Sequence, residues 1–81
     1  MASCRVVIQP SAERELREAP FPFPFRRQIS TRITRLKTDP VPADAERVEG
    51  ALYRLRVHGR RVLYEVDVAA ELVTVLAIVG R

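Results

Sequence analysis

Cysteine, histidine, lysine and tryptophan are nearly missing from this sequence. Cys4 is the single cysteine, which excludes an internal disulfide framework and a cysteine-based zinc site built within one chain. His58 is the single histidine, which excludes a histidine-rich metal centre, and no cofactor or metal is expected. No apolar run approaches the roughly 18 residues needed to span a bilayer. The first residues hold no apolar core long enough for a signal peptide. A soluble, cytoplasmic protein without a membrane role is the expectation. At 81 residues the chain suits one domain, spanning 1–81. A domain of this size buries only about 60–65% of its unfolded surface, so its stability is modest and a partner can supply part of it.

What the sequence has in quantity is arginine. Lysine and arginine total 14 against 10 acidic residues, a net charge of +4, and only Lys37 is lysine. Arginine presents a planar fork of donors suited to phosphates and to stacking on bases. A GC-rich coding bias favours arginine too, so the placement of these residues has to decide. Apolar residues make up 47%, enough for a folded core rather than a disordered chain.

Patterning divides the chain into six elements. Arg5-Val6-Val7-Ile8-Gln9 reads as a strand ended by Pro10. Ser11 is placed to cap a helix that carries Ala12, Leu16 and Ala19 on one face and is stopped by Pro20. Phe21-Pro22-Phe23-Pro24-Phe25 predicts an extended connector whose phenylalanines fold back over the core. Phe25, Ile29, Ile33 and Leu36 then recur at helical spacing. Arg26, Arg27, Arg32, Arg35 and Lys37 fill the rest of that helix, and residues 26–37 contain no acid. Asp39-Pro40 ends it, and Val41 to Gly50 reads as a polar connector. Ala51 to Val57, Arg60 to Asp67 and Leu72 to Val79 read as three strands joined at hairpin-like distances. The order β-α-α-β-β-β predicts an α+β fold, an antiparallel sheet with an αα-hairpin packed on one face.

The most informative prediction concerns the turn at His58-Gly59. A two-residue loop pairs Val57 with Arg60, Arg56 with Arg61, Leu55 with Val62, Arg54 with Leu63, and Tyr53 with Tyr64. Side chains alternate along a strand, so Arg54, Arg56 and Arg61 share one face. Tyr53, Leu55, Val57, Val62, Tyr64 and Val66 share the other, which meets the helices. Arg56 opposite Arg61 is a costly like-charge pair. Either Glu65 or Asp67, on the same face, relieves it, or the arginines await an anion such as an RNA backbone. Arg60 flanks this cluster and Arg81 lies at the end of the last strand. His58 reads as an exposed turn residue, Cys4 as a small buried residue, and Tyr53 and Tyr64 as core aromatics.

The run from Tyr53 through Arg54-Leu55-Arg56-Val57-His58-Gly59-Arg60-Arg61-Val62-Leu63-Tyr64 to Asp67, followed by Val75 to Arg81, resembles the RelE/ParE superfamily of bacterial toxins. That superfamily shows a Tyr-basic-Leu-basic strand, a tight glycine turn, and an Arg-Val-x-Tyr-x-Val strand. The upstream strand, Ala12 to Leu16, and the second helix ending before Asp39-Pro40 are similar too. The resemblance implies the toxin of a type II toxin–antitoxin pair. A RelE-type member would cut mRNA on the ribosome without a metal, the ribose 2′-OH attacking the adjacent phosphate to leave a 2′,3′-cyclic phosphate. Arg54, Arg56 and Arg61 match the family's catalytic basic positions, and Arg60, Arg81 and His58 would contact RNA. Arg61 would stabilise the charge on phosphorus, while Arg54 and Arg56 would position the strand. The implied partners are a cognate antitoxin, the ribosome and mRNA. A ParE-like member would instead inhibit DNA gyrase without cutting RNA, and a toxin that only binds its antitoxin is the remaining alternative. Active relatives often carry a further arginine and a tyrosine or histidine after the segment that here reaches Arg81.

Overall fold

The hairpin at His58-Gly59 organises the structure. In the computed structural model, which describes residues 3–18 and 23–80, His58 has φ 50° and Gly59 φ 76°. Two successive left-handed residues make the two-residue turn whose twist matches that of the flanking strands. Glycine adopts such a conformation without a steric cost, and His58 accepts it because the turn allows nothing else. The turn joins β3 (Leu52–Val57) to β4 (Arg60–Asp67), and the pairing is the one expected from Val57–Arg60 through Tyr53–Tyr64. β4 continues into β5 (Leu72–Gly80) through a turn in which Asp67 Oδ1 accepts the Ala70 N–H at 3.0 Å.

Two strands differ from expectation. β2 (Glu46–Glu49) lies within the supposed connector and pairs antiparallel with β3. All four of its residues are exposed, so no apolar alternation marks it in the sequence. β1 (Arg5–Ile8) joins the sheet beside β5 and parallel to it, so the sheet is mixed, in the order β1-β5-β4-β3-β2. A strand flanked on both sides and apolar along nearly its whole length, as Leu72 to Val79 is, suits this central place. The α+β architecture with helices on one face stands.

Both helices begin with proline in their first turn. α1 (Pro10–Glu18) starts one residue before Ser11, with the Glu13 N–H donating to Gln9 O at 2.9 Å. Ser11 is therefore inside the helix rather than its cap, because Pro10 has the fixed φ of a first helical residue and no N–H to lose. α2 (Phe23–Arg35) takes up Phe23, Pro24 and Phe25, so this part of the Phe-Pro repeat is helical and not extended. The reason is the same: a proline in the first turn breaks no helical hydrogen bond. Phe21, Pro22, Ala19 and Pro20 lie outside the described residues. Phe25 is 40% exposed, so it does not cover the core as expected.

The core lies between the helices and the inner sheet face. Ala12, Ile29, Ile33 and Leu36 meet Leu55, Val57, Val62, Tyr64, Val66, Val73, Val75 and Ile78, all buried. Cys4 is half-buried at its margin. Tyr64 stacks on Tyr53, with ring centroids 5.8 Å apart, and its hydroxyl donates to Pro40 O at 2.9 Å. That bond fastens the chain leaving α2 to the middle of the sheet. Burial, reinforced by Tyr53, Asp39 and Asp44, pushes the Tyr64 phenol up to about 12. The unfolded phenol ionises near pH 10, before the folded one. The folded state therefore holds the proton that the unfolded state releases, and stability falls as pH rises from about 10 to about 12. Urea denaturation of Tyr64→Phe should lose this alkaline component and show a cost of about 1 kcal/mol at neutral pH for the missing bond.

Candidate functional site

The three matched arginines occupy the outer sheet face, but they do not form one cluster. Arg54, half-buried, donates from Nη2 and Nε to Glu46 Oε1 at 2.9 and 3.3 Å. β2 thus supplies an acid to Arg54, a partner outside those the sequence indicates for this face. Glu46 is opposite Arg54 in the strand register, a position that no local pattern in the sequence points to. Asp67 instead holds the β4–β5 turn.

Arg54 and Arg61 line a shallow concavity of about 280 Å³ whose apolar floor is Val48, Leu63 and Val79. Arg61 is half-buried, and the surrounding apolar carbon lowers the local dielectric and strengthens its field. The arrangement suits a phosphate held against guanidinium, with an adjoining flat group laid on apolar side chains. Arg56 sits directly across from Arg61 in register and is exposed. It lines a different depression, next to α2.

Of the flanking residues, Arg60 pairs in register with Gly80, and its guanidinium lies over that glycine. A Cβ at position 80 would come within 3.1 Å of Arg60 Nη1, so Gly80 makes room for the side chain. His58 is exposed and stacks nearly parallel on Phe25, with centroids 5.1 Å apart and 10° between planes. Arg81 lies outside the described residues. Arg27, Arg32 and Arg35 of α2, which are not among the site residues that the sequence indicates, line the depression with Arg56. The clue to them lies in the sequence: residues 26–37 hold five basic side chains and no acid. Arg32 donates to Asp44 Oδ2 at 2.7 Å, and this bond holds the Asp44 carboxyl below its usual range. Among the described residues no group of three or more His, Cys, Asp or Glu could hold a metal ion. Among the described residues no helix is long and apolar enough to cross a membrane.

A helical hairpin on one face of an open, five-stranded mixed sheet, with arginines on the other, defines a RelE-like fold. The chain is similar to a chain of the archaeal RelE–RelB complex from Pyrococcus horikoshii. The identity is 27%, the match covers 98% of this chain and 96% of that one, and the TM-score is 0.88. The intact Escherichia coli RelBE complex matches at 18% identity over 98% of both chains, TM-score 0.80. A YoeB/ParE toxin from Agrobacterium tumefaciens matches at 15% identity over 95% of this chain and 98% of that one, TM-score 0.76. These last two identities speak to the fold alone. No family model matches the sequence, and no curated protein does. The chain is RelE-like in its fold over nearly its whole length.

Proposed function

We propose that this protein is the toxin of a toxin–antitoxin pair and acts as a ribosome-dependent mRNA endonuclease. The observation that carries the reading is the concavity in which Arg54 and Arg61 flank an apolar floor. In this reaction the 2′-oxygen forms a bond to phosphorus as the bond to the 5′-oxygen breaks. The 2′-OH proton leaves, and a proton reaches the departing 5′-oxygen. The products are a 2′,3′-cyclic phosphate and a 5′-hydroxyl. Arg61 stabilises the negative charge that grows on the phosphoryl oxygens, the task of an oxyanion-hole donor. Arg54, oriented by Glu46, and Arg56 position the strand, while Arg60, Arg81 and His58 contact RNA around it. Arginine stays protonated, so these side chains supply charge and orientation and not the proton acceptor. No metal or cofactor enters this scheme.

The partner in the resting state is a cognate antitoxin whose acidic, extended segment covers the basic faces. Their complex is expected to weaken with salt. The place of action is the cytoplasm, where ribosomes and mRNA are.

Primer extension on a reporter mRNA, in a purified translation system with ribosomes present or omitted, tests the proposal. Cuts that appear only with ribosomes are expected. Absence of cuts from protein shown to be folded would overturn the nuclease reading. It would direct the next assay to DNA gyrase, or to a toxin that only binds its antitoxin.

A further inference from the structure

β2 pairs with β3 only as far as Arg54, so among the described residues Leu55 to Val57 have no strand beside them on that side. The gap between this free stretch and α2 is a groove of about 510 Å³, lined by Arg27, Thr31, Arg32, Arg35, Arg56 and His58 among others. Arg27, Thr31 and Arg35 are four residues apart along α2, so they rise along one face in steps of about 6 Å. Arg32 is held by Asp44, whereas Arg27, Arg35 and Arg56 have no carboxylate partner among the described residues. Three unneutralised guanidinium groups thus converge on one groove, and no acidic residue lines it. At its end the His58 ring lies on Phe25, a flat π surface. Guanidinium forks that follow a track, ended by an aromatic platform, are the means by which proteins hold single-stranded nucleic acid.

We propose that this groove is a second RNA site, distinct from the Arg54–Arg61 concavity. Arg27, Arg35 and Arg56 grip the backbone there, and a base stacks at His58. Arg56, although it faces Arg61 in register, belongs to this grip and is a positioning residue for the cut. An acidic peptide would satisfy the arginines but would leave the aromatic platform unused, so RNA is the better fit. The inference rests on the RNA reading above, but binding and cleavage can be measured separately.

His58 is the single histidine, so its imidazole C–H resonances report on the groove alone. The full chain is titrated at fixed pH with a short, 2′-O-methylated single-stranded RNA that cannot be cut. Affinity is also measured for Arg27→Ala/Arg35→Ala and for Arg61→Ala. The expected result is a saturating shift of the His58 resonances and a loss of affinity of at least tenfold in the double variant. Its salt dependence should fall by about 0.7 per lost phosphate contact. Arg61→Ala, which alters the other site, should leave the His58 shift in place and lose less affinity than the double variant. Both substituted α2 residues are exposed, so the double variant should fold, and its thermal melt checks this. Affinity lost in Arg61→Ala but kept in the double variant would overturn the proposal. So would an unmoved His58, or a shift produced by polyglutamate and not by RNA. If RNA binds in the groove but no mRNA is cut, the second site stands and the nuclease reading fails. If mRNA is cut equally well by the double variant, with its RNA affinity unchanged, the nuclease reading stands and the second site fails.

Discussion

Replacing Arg61 by alanine is expected to reduce ribosome-dependent mRNA cleavage by roughly 10²–10³-fold, the effect of removing one donor from a site that stabilises developing negative charge. Arg61 is half-buried beside Leu63 and Val79, where its field is less screened than that of the exposed Arg56. Arg61→Lys keeps the charge but loses the planar fork, so it should restore only part of the rate. Arg56→Ala should act mainly through the amount of RNA needed and less through the maximal rate, because Arg56 lines the groove beside α2. Primer extension at graded protein concentrations separates the two behaviours, with circular dichroism as the control for folding. Undiminished cleavage by folded Arg61→Ala would remove Arg61 from the chemistry.

The largest expected loss of stability comes from Leu55→Ala. Leu55 is fully buried, lies opposite Val62 in the hairpin, and belongs to the core beneath the helices. Truncating such a leucine costs about 2–5 kcal/mol, through lost transfer free energy and the cavity left behind. A domain of 81 residues has a total of roughly 4–12 kcal/mol. The variant should therefore lose about a sixth of its stability at the least, and up to all of it, and unfold at lower urea with the slope of the transition unchanged. An unchanged midpoint would mean that the inner face of β3 does not bear on the core. Because Leu55 separates Arg54 from Arg56, cleavage should fail in the same range of urea that melts the sheet.

These two residues show why much of the site could be read from the sequence. A strand alternates with a period of two, and His58-Gly59 leaves one pairing for the residues around it. Leu55 inward, Arg54 outward and Arg56 against Arg61 all follow from those local rules. Ile29, Ile33 and Leu36 follow from the helical period in the same way, and all three are buried. The Phe23–Phe25 part of the Phe-Pro repeat is helical because proline disrupts a helix interior but is tolerated in a first turn, where Pro24 lies. β2 was missed because an edge strand with four exposed residues needs no apolar alternation.

The sequence by itself determined the α+β class, the β3–β4 register and the face on which Arg54, Arg56 and Arg61 lie. Each depends on residues that are near neighbours along the chain. Only the tertiary structure decided that β1 lies parallel beside β5, that Glu46 holds Arg54, and that Arg56 turns to the groove of α2 while Arg61 stays on the open face. Those choices pair segments far apart in the sequence. They are set by which apolar surfaces must be buried together, a collective requirement that leaves no signature at any single position.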